Sequence, residues 1–221
     1  MIYIFSGLFF GLFVPYMARR FSKFMPATPA YALYRLIKPN KISAGKNAKY
    51  YKLRTAYMFR SIMYALIGAA LSSAVWLKFG EDEIWWRLGF VWSLLLLAEI
   101  DLKTFLLPDI ITFPLLMCGF AFAALHSSDL SPIESSIAAL TGYIIPIIAA
   151  LCLLWRSHDA FGGGDIKLLA AIGAWLGVES LLYTILLSCL LFGIYSLIKR
   201  KRNGAFGPSL AAAAVIVRLI L

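Results

Sequence analysis

The chain has 221 residues, 62% of them hydrophobic and only 14% charged, with a mean hydropathy of +0.82. Soluble domains are about half apolar, and here the apolar residues gather into long blocks, which excludes an ordinary soluble domain and points to an all-α, polytopic membrane protein. The net charge of +10 does not indicate nucleic acid: eleven of the 21 basic residues lie between Arg19 and Arg60, a stretch with no acid, and four more form Lys199-Arg200-Lys201-Arg202, the pattern of inner loops flanking membrane helices.

Apolar blocks run over 1–18, 58–77, 84–100, 110–125, 136–155, 166–177, 181–198 and 205–221, which predicts about eight membrane segments. The first block precedes the first basic residues, the reverse of a secretory signal, so it reads as an uncleaved helix with its N-terminus outside. Gly7 and Gly11 in it form a small-xxx-small pair suited to close helix packing. The following loop, 19–57, holds Pro26, Pro29 and Pro39. Its segment Tyr31-Ala32-Leu33-Tyr34-Arg35-Leu36-Ile37 fits either a short amphipathic helix on the inner leaflet or a plain solvated loop. Trp76, Trp85, Trp86 and Trp92, around the outer ends of the second and third blocks, read as interfacial anchors.

Further along, Pro146 predicts a kink in the fifth segment. The sixth block is too short to span: twelve residues at 1.5 Å rise give about 18 Å, against the roughly 17–20 residues that spanning requires. Either it continues through Val178-Glu179-Ser180 into the seventh block, or it ends within the membrane beside a wet cavity, where irregular backbone is tolerated. Gly173 and Gly177 repeat the small-xxx-small pattern.

Charge placement sets an orientation. With the N-terminus outside, the inner loops are 19–57, 101–109, 156–165 and 199–204; together with Arg60 and Lys167 they hold 18 of the 21 basic residues. The outer loops carry Glu81, Asp82, Glu83, Asp129, Glu134 and Glu179. This bias fits only one topology, and it places Asp101 and Asp165 on the same, cytoplasmic side.

These two acids head the two constellations that carry chemistry. The first is Glu99-Ile100-Asp101-Leu102-Lys103-Thr104-Phe105-Leu106-Leu107-Pro108-Asp109. Asp101 closes an apolar helix, Pro108 suits the first turn of the next, and Asp109 and Thr112 are placed to cap that helix or complement its dipole. Taken alone, Asp101 is equally a helix-end acid reaching for the interface. The second is Phe161-Gly162-Gly163-Gly164-Asp165-Ile166-Lys167-Leu168. Gly162, Gly163 and Gly164 lack Cβ atoms and let another chain come close; taken alone, the segment is also a loop hinge. It matches neither GxxxxGK[ST] nor GxGxxG, and an acid at the helix start would repel phosphate.

Together, two carboxylates sharing a water make an acid–base pair: one takes a proton from water as it attacks an amide carbonyl, and the other protonates the leaving group. The helix N-terminus favours the anion of Asp165, making it the more acidic partner. Other hydrolytic chemistries lack their residues: there is no HExxH and no GxSxG. His126 and His158, the latter beside Asp159, read as loop residues. Cys118, Cys152 and Cys189 are isolated, form no CxxC and give no metal set; they read as small buried apolar residues.

At this point the chain resembles the type IV prepilin peptidases, intramembrane aspartic proteases of the GxGD class. The resemblance rests on Asp101 with Leu107-Pro108-Asp109, Thr112 and Pro114-Leu115; on Gly162-Gly163-Gly164-Asp165-Ile166-Lys167-Leu168 with Ala170-Ala171 and Gly173-Ala174-Trp175-Leu176-Gly177; and on Ala205-Phe206-Gly207-Pro208-Ser209-Leu210-Ala211. It implies that Asp101 and Asp165 are the catalytic pair and that no metal is needed. The implied substrate is a prepilin or pseudopilin with a basic leader, cut after a glycine at the cytoplasmic face of a bacterial inner membrane. Glu99, Asp109 and Asp159 are then acids that attract the leader. The resemblance also implies S-adenosylmethionine-dependent methylation of the new N-terminus, for which the residues give no independent signal.

The first part departs from the family. The 19–57 loop has no cysteine where many members carry two CxxC pairs, and although Gly11 and Arg20 match the N-terminal pattern, Pro15 and Ser22 replace its asparagine and proline. The chain therefore divides into a two-helix region with a basic loop, 1–80, and a six-segment peptidase domain, 81–221. Within the protease class a preflagellin-type peptidase is the nearest alternative. Outside it stand a proton-coupled transporter, which should show a repeat symmetry that is absent here, and an idle assembly scaffold. Membrane lipids are partners in every case; the pilin and the oligomeric state stay open.

Overall fold

In the computed structural model, which describes residues 1–24, 48–126, 130–154, 162–199 and 204–221, helices follow the apolar blocks. Among the described residues there are seven: α1 (Ile2–Phe24), α2 (Ala48–Phe79), α3 (Ile84–Thr104), α4 (Asp109–Leu125), α5 (Pro132–Leu154), α6 (Gly163–Lys199) and α7 (Gly207–Ile220). Four of them contain stretches long and apolar enough to cross a membrane: Ile2–Phe21, Tyr57–Phe79, Pro132–Leu151 and Gly163–Lys199. Helix α3 is equally long but carries Arg87, Glu99, Asp101 and Lys103. The proposed amphipathic stretch 31–37 lies outside the described residues. The chain forms two compact units, Met1–Thr104 and Phe105–Leu221.

In the first unit, small residues let backbones touch. A Cβ on Gly7 would lie 2.8 Å from Ser72 Cβ, and one on Gly11 would lie 2.6 Å from Ala65 Cα. The Gly7–Gly11 pair thus does what its spacing predicts and sets α1 directly against α2. Helix α3 packs on both, burying Leu88, Val91, Leu94, Leu97 and Ile100. Trp92 takes part in this packing: it stacks on Phe10 at 5.0 Å and donates its indole N–H to the buried Ser72 hydroxyl at 3.1 Å. It sits two turns into α3, half-buried, with its indole N–H partnered. Trp85, at the helix start, stays exposed and meets Tyr3 edge-on. Arg87 is buried at the same end, 3.0 Å from Glu83 and 4.2 Å above the Phe79 ring.

The second unit is built around α6, which packs on α4, α5 and α7. The sixth and seventh blocks form two helical stretches that follow one another directly and meet at a break at Gly177 (φ 80°, ψ 172°), where only glycine is at ease. Residues 168–177 are all buried, whereas beyond the break Leu182, Leu186, Leu190, Ile194 and Leu197 face outward. Small residues again set the contact: a Cβ on Gly173 would lie 2.8 Å from the Ala138 carbonyl carbon, and one on Gly142 would lie 2.9 Å from that of Leu169. The Ser135 hydroxyl donates to the Ala174 carbonyl at 2.7 Å. Trp175 stacks on Phe122 and donates to the Leu115 carbonyl at 2.8 Å. Helix α5 opens on a capping box in which the Glu134 N–H donates to the Ser131 hydroxyl (3.2 Å) and the Ser131 N–H to the Glu134 carboxylate (3.0 Å).

Cys118 and Cys189 correct a sequence expectation. Both lie on exposed helix faces and not in the packed interior, because the interior contacts are taken by glycine, alanine and serine. The Cys152 side chain is outside the described residues.

Candidate active site

Asp165 stands in the first turn of α6. The Gly162 carbonyl accepts from the Asp165 N–H at 3.0 Å and from the Ile166 N–H at 3.4 Å, so Gly162 holds the cap position with no side chain to offer. The Asp165 carboxylate folds back towards it: a Cβ on Gly162 would lie 2.9 Å from Asp165 Oδ2. The half-buried carboxylate thus lies over the start of its own helix, where the dipole favours negative charge.

The three glycines have three surroundings. Gly162 leaves room for the Asp165 carboxylate. Gly163 is exposed, with nothing within 4 Å of an added Cβ. Gly164 is held against the segment before α4, where a Cβ would lie 2.9 Å from Leu107 Cβ. The chain that approaches Gly164 is therefore this protein's own, whereas Gly162 and Gly163 are both exposed, and only Gly163 has open space about it.

The starts of α4 and α6 are joined by a second contact, Lys167 Nζ to Asp109 Oδ2 at 2.6 Å. Neither Asp109 nor Thr112 caps α4: the helix start has no side-chain cap, and the buried Thr112 hydroxyl donates back to the Pro108 carbonyl at 3.3 Å. Asp109 keeps only the dipole role among those its position allowed, and its charge is met by Lys167.

Asp101 lies in the last turn of α3 and is 4% exposed. Glu99, two residues earlier, is 0% exposed. Its Oε2 accepts from the Tyr64 hydroxyl at 2.5 Å, and its Oε1 lies 2.7 Å from Lys103 Nζ and 3.6 Å from Arg60 Nη1. Tyr64 and Arg60, on α2, carry no sequence signal for this role; only the fold brings them to Glu99, which lies 35 positions beyond Tyr64. Asp101 and Glu99 belong to the first unit, and Asp109, Gly162, Gly163, Gly164 and Asp165 to the second. Asp159 and His158 lie outside the described residues. His126 ends α4 with its ring against Phe122, away from either constellation in sequence. No group of three or more His, Cys, Asp or Glu suited to a metal occurs among the described residues.

These features define an all-helical, multi-pass membrane protein with acids at two helix ends. Residues 88–197 match the type IV leader peptidase family, a range that includes both Asp101 and Asp165. The chain belongs to that family. It is 39% identical over 145 residues to the prepilin leader peptidase/N-methyltransferase of Aeromonas salmonicida (strain A449), covering 58% of this chain and 46% of that one. It is 36% identical over 165 residues to the protein of that name from Pectobacterium carotovorum subsp. carotovorum (69% and 56%). With the Vibrio cholerae protein of the same name it shares 30% over 173 residues (75% and 66%). The chain thus spans about half the length of most curated relatives it matches. No solved structure matches it.

Proposed function

We propose that this chain is a membrane-embedded aspartic endopeptidase that removes the basic leader from type IV prepilins or pseudopilins at the cytoplasmic face of a bacterial inner membrane. The observation that carries the reading is the family match over 88–197, which takes in Asp101 and Asp165 within their motifs. The distribution of basic residues supports an outside N-terminus and a cytoplasmic site. On this reading 81–221 is the peptidase domain and 1–80 a reduced counterpart of the family's N-terminal region.

In the reaction, the anionic carboxylate takes a proton from water as the water oxygen attacks the scissile carbonyl carbon. The protonated carboxyl then delivers its proton to the amide nitrogen as the C–N bond breaks. We assign the anionic role to Asp165, whose carboxylate lies over the start of α6, and the acid role to Asp101. The exposed Gly163 offers a backbone that a substrate strand can approach.

Methylation of the new N-terminus would require S-adenosylmethionine. Gly11 and Arg20, which match the family's N-terminal pattern, are both taken up by packing: Gly11 against α2, and Arg20 by the Tyr16 hydroxyl at 2.8 Å. Neither contact gives independent support for a bound cofactor, and no methylation step is derived from them.

Co-expression with prepilins from the same genome tests the reading. The wild type removes the leader, and Asp101→Asn and Asp165→Asn leave it attached. Processing by both variants would sink the two-aspartate mechanism. Mass spectrometry of the mature N-terminus decides methylation: a gain of one methyl group supports it, and complete cleavage without that gain does not.

A further inference from the structure

Glu99 is a buried acid that the proposed chemistry does not use. Attracting a basic leader requires a carboxylate that a peptide can reach, and this one is 0% exposed. Its Oε2 accepts from the Tyr64 hydroxyl of α2 at 2.5 Å; its Oε1 accepts no hydrogen bond and is met by charge alone, with Lys103 Nζ of α3 at 2.7 Å and Arg60 Nη1 of α2 at 3.6 Å. Lys103 also donates to the Pro15 carbonyl of α1 at 3.4 Å. The carboxylate therefore ties the end of α3 to α2, and its partner Lys103 ties the same end to α1. Breaking such a cluster leaves an uncompensated buried charge.

The register gives the cluster its consequence. Glu99 and Lys103 stand four apart and share a face of α3. Asp101 stands midway between them, rotated by about 200° from Glu99 at 3.6 residues per turn. Fixing the 99/103 face fixes the rotation of the helix end about its axis, and with it the direction in which Asp101 points.

We infer that Glu99 is a positioning residue for Asp101, holding the end of α3 through Tyr64, Lys103 and Arg60, and not a leader-binding acid. This rests on the reading of Asp101 as catalytic. Misplacing a reacting group by about 1 Å costs on the order of a hundredfold in rate, so loosening this cluster lowers turnover without weakening the hold on substrate.

The test uses the full chain, purified in detergent, with a prepilin carrying a basic leader. kcat and KM are measured for the wild type, Glu99→Gln, Tyr64→Phe and their double variant, alongside hydrogen exchange of the backbone over 97–104. Glu99→Gln is expected to lower kcat about tenfold or more with KM within about twofold. Tyr64→Phe is expected to act in the same direction, and the double variant to fall no further than the worse single. Exchange over 97–104 accelerates in each variant. A raised KM at unchanged kcat, or unchanged kinetics with unchanged protection, overturns the inference. If Glu99→Gln does not purify as a single species, Tyr64→Phe decides by the same readings. Failure of the underlying function looks different: the wild type leaves the leader attached, or Asp101→Asn removes it. The exchange measurement then still decides whether Glu99 holds the helix end.

Discussion

Lys167 Nζ lies 2.6 Å from Asp109 Oδ2, joining the start of α6 to the first residue of α4. Both side chains are at least half exposed, so the pair contributes about 0–1 kcal/mol to stability. Its expected effect is on register near Asp165. Lys167→Met and Asp109→Asn are expected to lower kcat by similar factors, and the double variant to be no worse than either single. Steady-state kinetics on a prepilin substrate check this. A KM raised by Asp109→Asn alone would instead mark Asp109 as a leader-binding residue.

The glycines before Asp165 separate folding from substrate approach. Gly164→Ala puts a methyl 2.9 Å from Leu107 Cβ, and such overpacking costs about 1–3 kcal/mol; thermal unfolding in detergent should show the loss, and Leu107→Ala should recover part of it. Gly162→Ala crowds the Asp165 carboxylate at 2.9 Å and should reduce cleavage more than stability. Gly163→Ala meets nothing within 4 Å. Its melting temperature should match the wild type while cleavage slows, because the methyl stands where a substrate backbone would pass.

Much of this was legible in the sequence, and the limits have physical causes. Block hydropathy located the helices, since a membrane span needs a continuous apolar run. The Gly7–Gly11 pair announced its helix contact because glycine permits close approach at any depth. What sequence could not give were partners distant along the chain. Glu99, Asp101 and Asp109 look alike as acids near helix ends; Tyr64 and Arg60 on another helix, and Lys167 some 58 positions on, distinguish them. The cysteines misled because hydrophobic residues in such a chain have two apolar surroundings, the protein interior and the lipid face, and block hydropathy does not separate them.

Close contact between α1 and α2 yields a stability prediction independent of catalysis. A methyl on Gly11 would lie 2.6 Å from Ala65 Cα, and backbone atoms cannot turn aside as a flexible side chain can. Gly11→Ala is expected to lower stability by about 1–3 kcal/mol, with Gly68→Ala acting in the same direction. Gly89→Ala on α3, with nothing within 4 Å, carries no such clash and should instead stabilise slightly, by about 0.5–1 kcal/mol. Thermal unfolding of the three variants in one detergent ranks them.

The break in α6 gives the last prediction. Gly177 adopts φ 80°, ψ 172°, a region essentially restricted to glycine, where strain is of order 1–3 kcal/mol. Its neighbour in space, Leu130 Cδ1, would be 3.0 Å from an added Cβ, a further but flexible obstacle. Gly177→Ala therefore either keeps the break and bears the strain or straightens the helix, pulling the buried 168–176 stretch out of register with α4 and α5. Both lower stability, and straightening also disturbs the Trp175 hydrogen bond to Leu115, so Trp fluorescence should shift with the melting temperature. Gly193, sixteen residues on in the same helix, has nothing within 4 Å and no unusual φ. There alanine removes only glycine's backbone freedom, and Gly193→Ala should stabilise by about 0.5–1 kcal/mol. Opposite signs for the two substitutions, measured side by side, are the expected result; equal effects would mean that the break at Gly177 is not held by its backbone conformation.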